Sequence, residues 1–126
     1  SNQSNGIFLN PTLGFNKRTN LERGFDKDNN NLIPIKPEKK EIWESLLFSD
    51  LGLPYTKTMP GFISAEHGFS QDKSGKLIWY LWEKWQTKED YNQYILTAPR
   101  QDGSKFSNAL MECLGGDPSE IWVDLL

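Results

Sequence analysis

The segment KLIWYLWEKW, which spans residues 76–85, constrains the fold more than any other part of the sequence. Side chains along a β-strand point alternately to the two faces of a sheet. If the segment is a strand, aromatic rings lie on both of its faces, although a half-exposed antiparallel sheet has one apolar and one polar face. We therefore expect both faces to be covered. One face would carry Leu77, Trp79, Leu81, Glu83 and Trp85, and the other Ile78, Tyr80, Trp82 and Lys84.

The two faces of the sheet have to be covered by different parts of the structure. Helices of the same chain can cover one face, but the sequence offers no spare strands to cover the other. The economical solution is a homodimer in which two copies pack sheet against sheet. The alternative is that the N-terminal segment folds back over the open face. Alternation alone does not say which face of the strand meets the helices.

The remaining patterns place the other elements around this strand. Pro37 suits the first turn of a helix, and Thr87 followed by Asp90 resembles a capping box at the start of the next helical region. The resulting order is the split β-α-β arrangement of the ferredoxin-like α+β fold, with an antiparallel sheet and helices on one face. The predicted strands are 31–35, 62–69, 76–85 and 120–126, and the predicted helical regions are 37–50, 88–96 and 104–114.

The chain of 126 residues is one domain by length, but its composition changes near residue 30. Residues 1–30 are rich in asparagine, glycine and charge, and we interpret them as an arm without a core of its own. Residues 31–126 form the ferredoxin-like domain. The arm would need the domain or a second subunit to order it.

Charge and cysteine content exclude several classes of function. The net charge of -3 argues against charge-driven binding to nucleic acid, and no run approaches the roughly 20 apolar residues of a membrane span. The single Cys113 excludes an internal disulfide, and one histidine among scattered acids gives no metal-ligand spacing. We expect Cys113 to be buried on an apolar helix face, with a reactive thiol as the alternative. The lack of a disulfide favours a cytoplasmic protein, and the lack of ligand spacing argues against a metal site.

The run MPGFISAEHGFSQDKSGKLIWYLWEKWQTKEDYNQYI resembles the antibiotic biosynthesis monooxygenase-like proteins of the dimeric α/β-barrel superfamily. The residues that carry the resemblance are Pro60-Gly61-Phe62 at a strand entry and Trp85-Gln86-Thr87-Lys88-Glu89 at the step from a strand into a helix. The resemblance covers about residues 31–126. It implies the ferredoxin-like fold and a sheet-to-sheet homodimer. Members include cofactor-free oxygenases of quinols or phenols, heme-degrading monooxygenases and proteins without known activity.

The heme-degrading branch is the least favoured of these functions. Its site resembles an asparagine on the first strand, a tryptophan ending the third strand and a histidine on the second helix. Asn31 and Trp85 lie near the first two positions, but the stretch YNQYILTAPRQDG after Trp85 contains no histidine. Without that residue nothing obvious would hold the iron. We therefore assign no heme ligand.

The resemblance implies a cofactor-independent monooxygenase that acts on a small aromatic or quinol substrate. His67 is the candidate base, because an imidazole titrates near neutral pH and can accept a phenolic proton. The alternative for His67 is a partly buried, hydrogen-bonded side chain. The candidate substrate-binding residues are Trp79, Tyr80, Trp85 and Asn31, with packing in the core or in a dimer as the alternative for the rings.

The other function class left open is a non-enzymatic module with the same fold that binds a small ligand or a partner. Two strand carboxylates, Glu66 and Glu83, are expected to pair with lysines or to face water. On strand 62–69, alternation separates the side chains into two sets. One set is Ile63, Ala65, His67 and Phe69, and the other is Phe62, Ser64, Glu66 and Gly68.

Overall fold

The computed structural model describes residues 26–126, so most of the predicted arm lies outside the described residues. The strands are β1 (Lys27–Ile35), β2 (Phe62–Gln71), β3 (Leu77–Trp85) and β4 (Ser119–Asp124). The helices are α1 (Lys40–Leu47), α2 (Leu53–Thr56), α3 (Lys88–Ile95) and α4 (Lys105–Met111). Short 3-10 turns at Pro37–Lys39 and Ala98–Arg100 precede α1 and follow α3.

The four strands form one antiparallel sheet in the order β2-β3-β1-β4. This is the sheet of the ferredoxin-like fold, and the predicted α+β fold class is confirmed. The core lies between the sheet and the helices. Its buried members are Ile35, Trp43, Leu47, Leu77, Trp79 and Cys113.

Strand β1 begins at Lys27, four residues before the predicted strand 31–35. Residues 27–30 are mostly polar, and Asp and Asn have low β-propensity. They are nevertheless paired on both sides, because Lys27 lies opposite Trp85 of β3 and Asp124 of β4. The backbone ladder therefore includes a segment that composition assigned to the arm.

A β-bulge between Phe62 and Ser64 changes the alternation at the start of β2. A bulge adds one residue to one strand, so the residue before it changes face. Phe62 lies opposite Trp85 and meets its ring edge-on, with centroids 5.5 Å apart. The expectation that Phe62 shares a face with Ser64 was wrong for this reason.

The two faces of β3 differ in burial. Trp79 and Trp85 lie under the helices and are buried, whereas Trp82 on the opposite face is 48% exposed. Ile121 of β4 lies on the same open face, since its partner Asn30 is in register with Trp82, and it is 59% exposed. In the part of the chain that the structure describes, nothing covers this second face. The structure does not show a dimer.

Two local predictions on the helical side are confirmed, and one is incomplete. Thr87 caps α3, because its Oγ1 accepts a hydrogen bond from the backbone N–H of Asp90 at 3.0 Å. Cys113 is fully buried, and burial raises the pKa of its thiol. The segment between the predicted helical region 37–50 and the predicted strand 62–69, for which no element was predicted, contains the single turn α2. No helix within residues 26–126 is long and apolar enough to cross a bilayer.

Candidate functional site

A cavity of about 180 Å³ lies between the helix-covered face of the sheet and the helices. Most of its wall is apolar, and four polar side chains reach it from different elements. The apolar walls include Trp43, Trp79, Leu81, Phe106 and Leu110, and the polar groups are Thr56, Glu83, Tyr94 and Arg100. An apolar cavity with a few convergent polar groups is the usual form of a small-molecule site.

Arg100 organises the helical side of the cavity. Its Nε donates to the Tyr94 hydroxyl at 2.6 Å, and its Nη2 donates to the Gly52 carbonyl and to Thr56 Oγ1, both at 3.1 Å. Thr56 Oγ1 itself donates to the Gly52 carbonyl, which leaves Tyr94 as the donor in the 2.9 Å bond between the two hydroxyls. The remaining nitrogen, Arg100 Nη1, is buried and has no hydrogen-bond partner within residues 26–126.

Glu83 is the buried carboxyl of the site, with only 3% of its surface exposed. The indole Nε1 of Trp85 donates to Glu83 Oε1 at 3.2 Å. Burial raises the pKa of Glu83 from its ordinary 4.5 to about 7, even though the Trp85 hydrogen bond and the Arg100 charge act to lower it. The carboxyl can therefore exchange a proton near neutral pH.

A chain of polar side chains runs beside Glu83 across β1 and β4. Asn29, which is directly opposite Glu83 in the sheet, is 1% exposed. Its amide donates to Glu120 Oε2 at 2.9 Å, and its carbonyl accepts from the Asn31 amide at 2.8 Å. The Tyr91 hydroxyl also donates to Glu120 Oε2, at 3.3 Å. Burial raises the pKa of Tyr91, so its hydroxyl keeps its proton.

His67 lies on the helix-facing side of β2, but it is solvent-exposed and does not line this cavity. Its Nδ1 accepts a hydrogen bond from Trp79 Nε1 at 3.3 Å, and its ring is 5.9 Å from the ring of Phe48. Partial desolvation and the Lys57 charge lower the pKa of His67. The imidazole is therefore neutral at neutral pH, with its Nδ1 lone pair engaged by Trp79.

The structure distributes the other predicted site residues over three environments. Trp79 forms part of the cavity wall. Trp85 is fully buried, stacks on Tyr94 with centroids 5.1 Å apart and supports Glu83. Asn31 belongs to the polar chain that joins Asn29 to Glu120. Tyr80 is on the open face of the sheet, away from the cavity.

Sequence reasoning missed the polar residues that define the cavity. The expectation that Glu83 pairs with a lysine or faces water was wrong, because the helices cover its face of β3. The sequence did contain a signal that Glu83 is buried, because alternation places it between Leu81 and Trp85 on an apolar face of the strand. Arg100 and Tyr94 gave no comparable signal, because their convergence depends on how α3 and the following turn pack on α2. Within residues 26–126, no cluster of three His, Cys, Asp or Glu side chains could hold a metal ion.

Comparison with known proteins identifies the fold but not the function. No protein-family model matches the chain, and no curated protein matches its sequence. Solved structures do match. A protein from Caulobacter crescentus CB15, provisionally identified as an antibiotic biosynthesis monooxygenase, superposes with a TM-score of 0.65 at 15% identity, over 85% of this chain and 95% of that chain.

Two further structures show the same fold. The ActVA-Orf6 monooxygenase of Streptomyces coelicolor, in complex with the ligand nanaomycin D, has a TM-score of 0.59 and 16% identity, and the match covers 81% of this chain and 88% of that chain. A conserved protein from Methanosarcina mazei Go1 has the same TM-score, 0.59, at 23% identity, over 79% of this chain and 92% of that chain. The resemblance to antibiotic biosynthesis monooxygenase-like proteins is thus confirmed for the fold.

Proposed function

We propose that this chain is a cofactor-independent monooxygenase of the antibiotic biosynthesis type, with the cavity between sheet and helices as its substrate site. The observation that carries the proposal is the cavity itself, an apolar space lined by the buried Glu83 and the partly buried Arg100. An engineered apolar cavity of roughly 150 Å³ binds benzene. The present cavity, at about 180 Å³ and partly open to solvent, has room for a small single-ring aromatic molecule.

The reaction needs only the substrate and oxygen. A 1,4-hydroquinone and one O₂ give a hydroxyquinone and one water, so the substrate supplies all four electrons that reduce O₂. One oxygen atom enters the ring and the other leaves as water. The first step is loss of a hydroxyl proton, because the quinolate anion transfers an electron to O₂ more readily than the neutral quinol. The protein contributes a proton acceptor, an apolar enclosure and donors that hold the anion.

The residues predicted from the sequence have distinct parts in this proposal. Trp79 would pack against the substrate ring, and Trp85 and Asn31 would support the polar groups around it. His67 as the base remains a prediction. Its hydrogen bond to Trp79 also gives it a supporting part, because it fixes the indole that forms the cavity wall. Tyr80 as a substrate-binding residue stays a prediction, and this cavity does not include it, because Tyr80 lies on the open face of the sheet.

A homodimer belongs to the same proposal. Trp82, Ile121 and Val123 expose apolar surface on one sheet face, and a second copy packed against that face would bury it. The S. coelicolor monooxygenase carries a bound small molecule on the same fold, which supports a ligand in the cavity of this chain.

Oxygen uptake tests the proposal. Purified protein is mixed with single-ring quinols and phenols in an oxygen electrode, and the rate in buffer alone is subtracted. We expect uptake above this background, with no oxygen returned by catalase, since monooxygenation releases water rather than peroxide. A Leu110→Trp variant, which fills the cavity, should lose the activity. Binding of a quinol without uptake would instead support the non-enzymatic ligand-binding function.

A further inference from the structure

We propose that Glu83 is the residue that accepts the hydroxyl proton of the substrate in this cavity. This inference rests on the proposed function and names the group that performs its first step. It differs from the expectation drawn from the sequence, in which His67 has this role. Three features of the structure carry it: the position of Glu83, the groups that face it and the place of His67.

Position favours Glu83 because its carboxyl is at the cavity wall and almost fully buried. A general base must lie within hydrogen-bonding reach of the proton it removes. Glu83 lines the cavity, so a ligand that fills it would lie beside this residue. His67, by contrast, does not line the cavity, and the lone pair of its Nδ1 already accepts from Trp79.

The neighbours of Glu83 hold its carboxyl without neutralising it. Trp85 fixes one oxygen through its indole N–H, while Arg100 and Glu120 act on the carboxyl with opposite charges. From α3, Tyr91 and Tyr94 face it with hydroxyls that burial keeps protonated. The carboxyl is consequently ionised in a large fraction of molecules at neutral pH, yet basic enough to take a proton.

The cavity wall also carries a positive charge that favours the anion created by the transfer. When the proton moves from the substrate hydroxyl to Glu83, the negative charge moves from the carboxylate to the substrate oxygen. Arg100 lines the cavity, so its positive charge would stabilise an anion on the substrate oxygen. Net charge in the cavity does not change during the step, so the transfer does not require a charge to enter from water.

The test uses oxygen uptake by the wild type, Glu83→Gln, His67→Ala and the control Glu38→Gln, an exposed carboxylate on the turn before α1. The substrates are methyl-substituted, unsubstituted and chloro-substituted 1,4-hydroquinones, which increase in acidity in that order. Glutamine keeps an oxygen for the Trp85 hydrogen bond but is not basic. We expect Glu83→Gln to slow the reaction of the least acidic quinol by about 100- to 10,000-fold. The deficit should shrink as the quinol becomes more acidic.

The pH profile separates a base from a structural residue. The wild-type rate should rise with pH through a midpoint near 7, where Glu83 ionises. This limb should persist in His67→Ala and Glu38→Gln and disappear in Glu83→Gln. A wild-type profile in Glu83→Gln, or an equal loss with every quinol, would overturn the assignment.

An anaerobic measurement keeps this inference separate from the proposed function. If the wild type consumes no oxygen with any quinol, the proposed function fails. Infrared difference spectra, recorded while hydroquinone binds in the absence of oxygen, then show whether Glu83 accepts the substrate proton. We expect a change in a carboxyl band that is absent from the Glu83→Gln spectrum. Binding of hydroquinone with no change in that band would refute the assignment.

Discussion

At the scale of single residues, Glu83 is the side chain whose environment departs most from expectation. Its carboxyl is buried beneath the helices, so the folded protein favours the protonated form and raises the pKa from 4.5 to about 7. Between these values the folded state holds a proton that the unfolded state has released. The free energy of unfolding must therefore fall as pH rises through this range.

The expected size of this effect is about 3 kcal/mol, since one pKa unit corresponds to about 1.4 kcal/mol. Glu83→Gln should remove it, so that the variant loses less stability than the wild type between about pH 5 and pH 8. Urea unfolding at the two pH values measures the difference, with Glu38→Gln as the control. Parallel losses in the wild type and Glu83→Gln would mean that Glu83 does not carry the raised pKa.

At the scale of secondary-structure elements, periodicity and turn residues were sufficient for the order of strands and helices. They also identified the Thr87 cap of α3 and the burial of Cys113. Periodicity and turn residues were insufficient where the bounds of a strand, or the face on which a residue lies, depend on the strand it pairs with. The extension of β1 to Lys27 depends on β3 and β4, and the bulge that turns Phe62 toward Trp85 depends on the register with β3.

The candidate site was less predictable than the fold for a related reason. The sequence indicated the aromatic residues because they cluster on one strand, and Trp79 does line the cavity. The polar groups around the cavity come from β3, α2, α3 and the turn that ends at Arg100. These groups converge only because the elements pack together in a particular way. Neither strand alternation nor helical spacing predicts that packing.

Gly52, in the turn between α1 and α2, packs closely against the backbone at the end of α1. A Cβ atom at Gly52 would overlap the backbone carbonyl oxygens of Leu46 and Leu47, and backbone cannot move aside cheaply. Gly52→Ala should therefore destabilise the fold by at least about 2 kcal/mol. Gly68→Ala is the comparison, because its added Cβ, on the open face opposite Tyr80, meets no other atom of the same chain within 4 Å. We expect it to leave stability unchanged or to raise it by up to about 1 kcal/mol, because alanine loses less backbone freedom on folding than glycine. Equal midpoints in chemical denaturation would contradict the close packing.

At the scale of the whole molecule, the open face of the sheet is the feature for which residues 26–126 supply no cover. Rings on both faces of β3 imply cover on both, and the helices cover only one. A second copy is the cover we propose for the other. The dimer prediction depends on this argument from surface chemistry.

Two isoleucines allow a matched test of the dimer. Ile121 is on the open face, whereas Ile42 is on α1, and they are 59% and 48% exposed. Ile121→Lys should convert the protein to a monomer, because a sheet-to-sheet interface would have to bury the new charge. Ile42→Lys should leave the mass unchanged. Light scattering coupled to size exclusion measures both variants, and a wild type with the mass of one chain would contradict the dimer.

We propose that this chain inserts one oxygen atom into a small aromatic ring without a cofactor. The direct measurement is a reaction of hydroquinone under ¹⁸O₂, with the product analysed by mass spectrometry. We predict a hydroxyquinone with one ¹⁸O atom per molecule, the second atom appearing in water, and a sharply reduced yield in Glu83→Gln. Quinone without ¹⁸O, formed at the same rate with and without the protein, would contradict the claim.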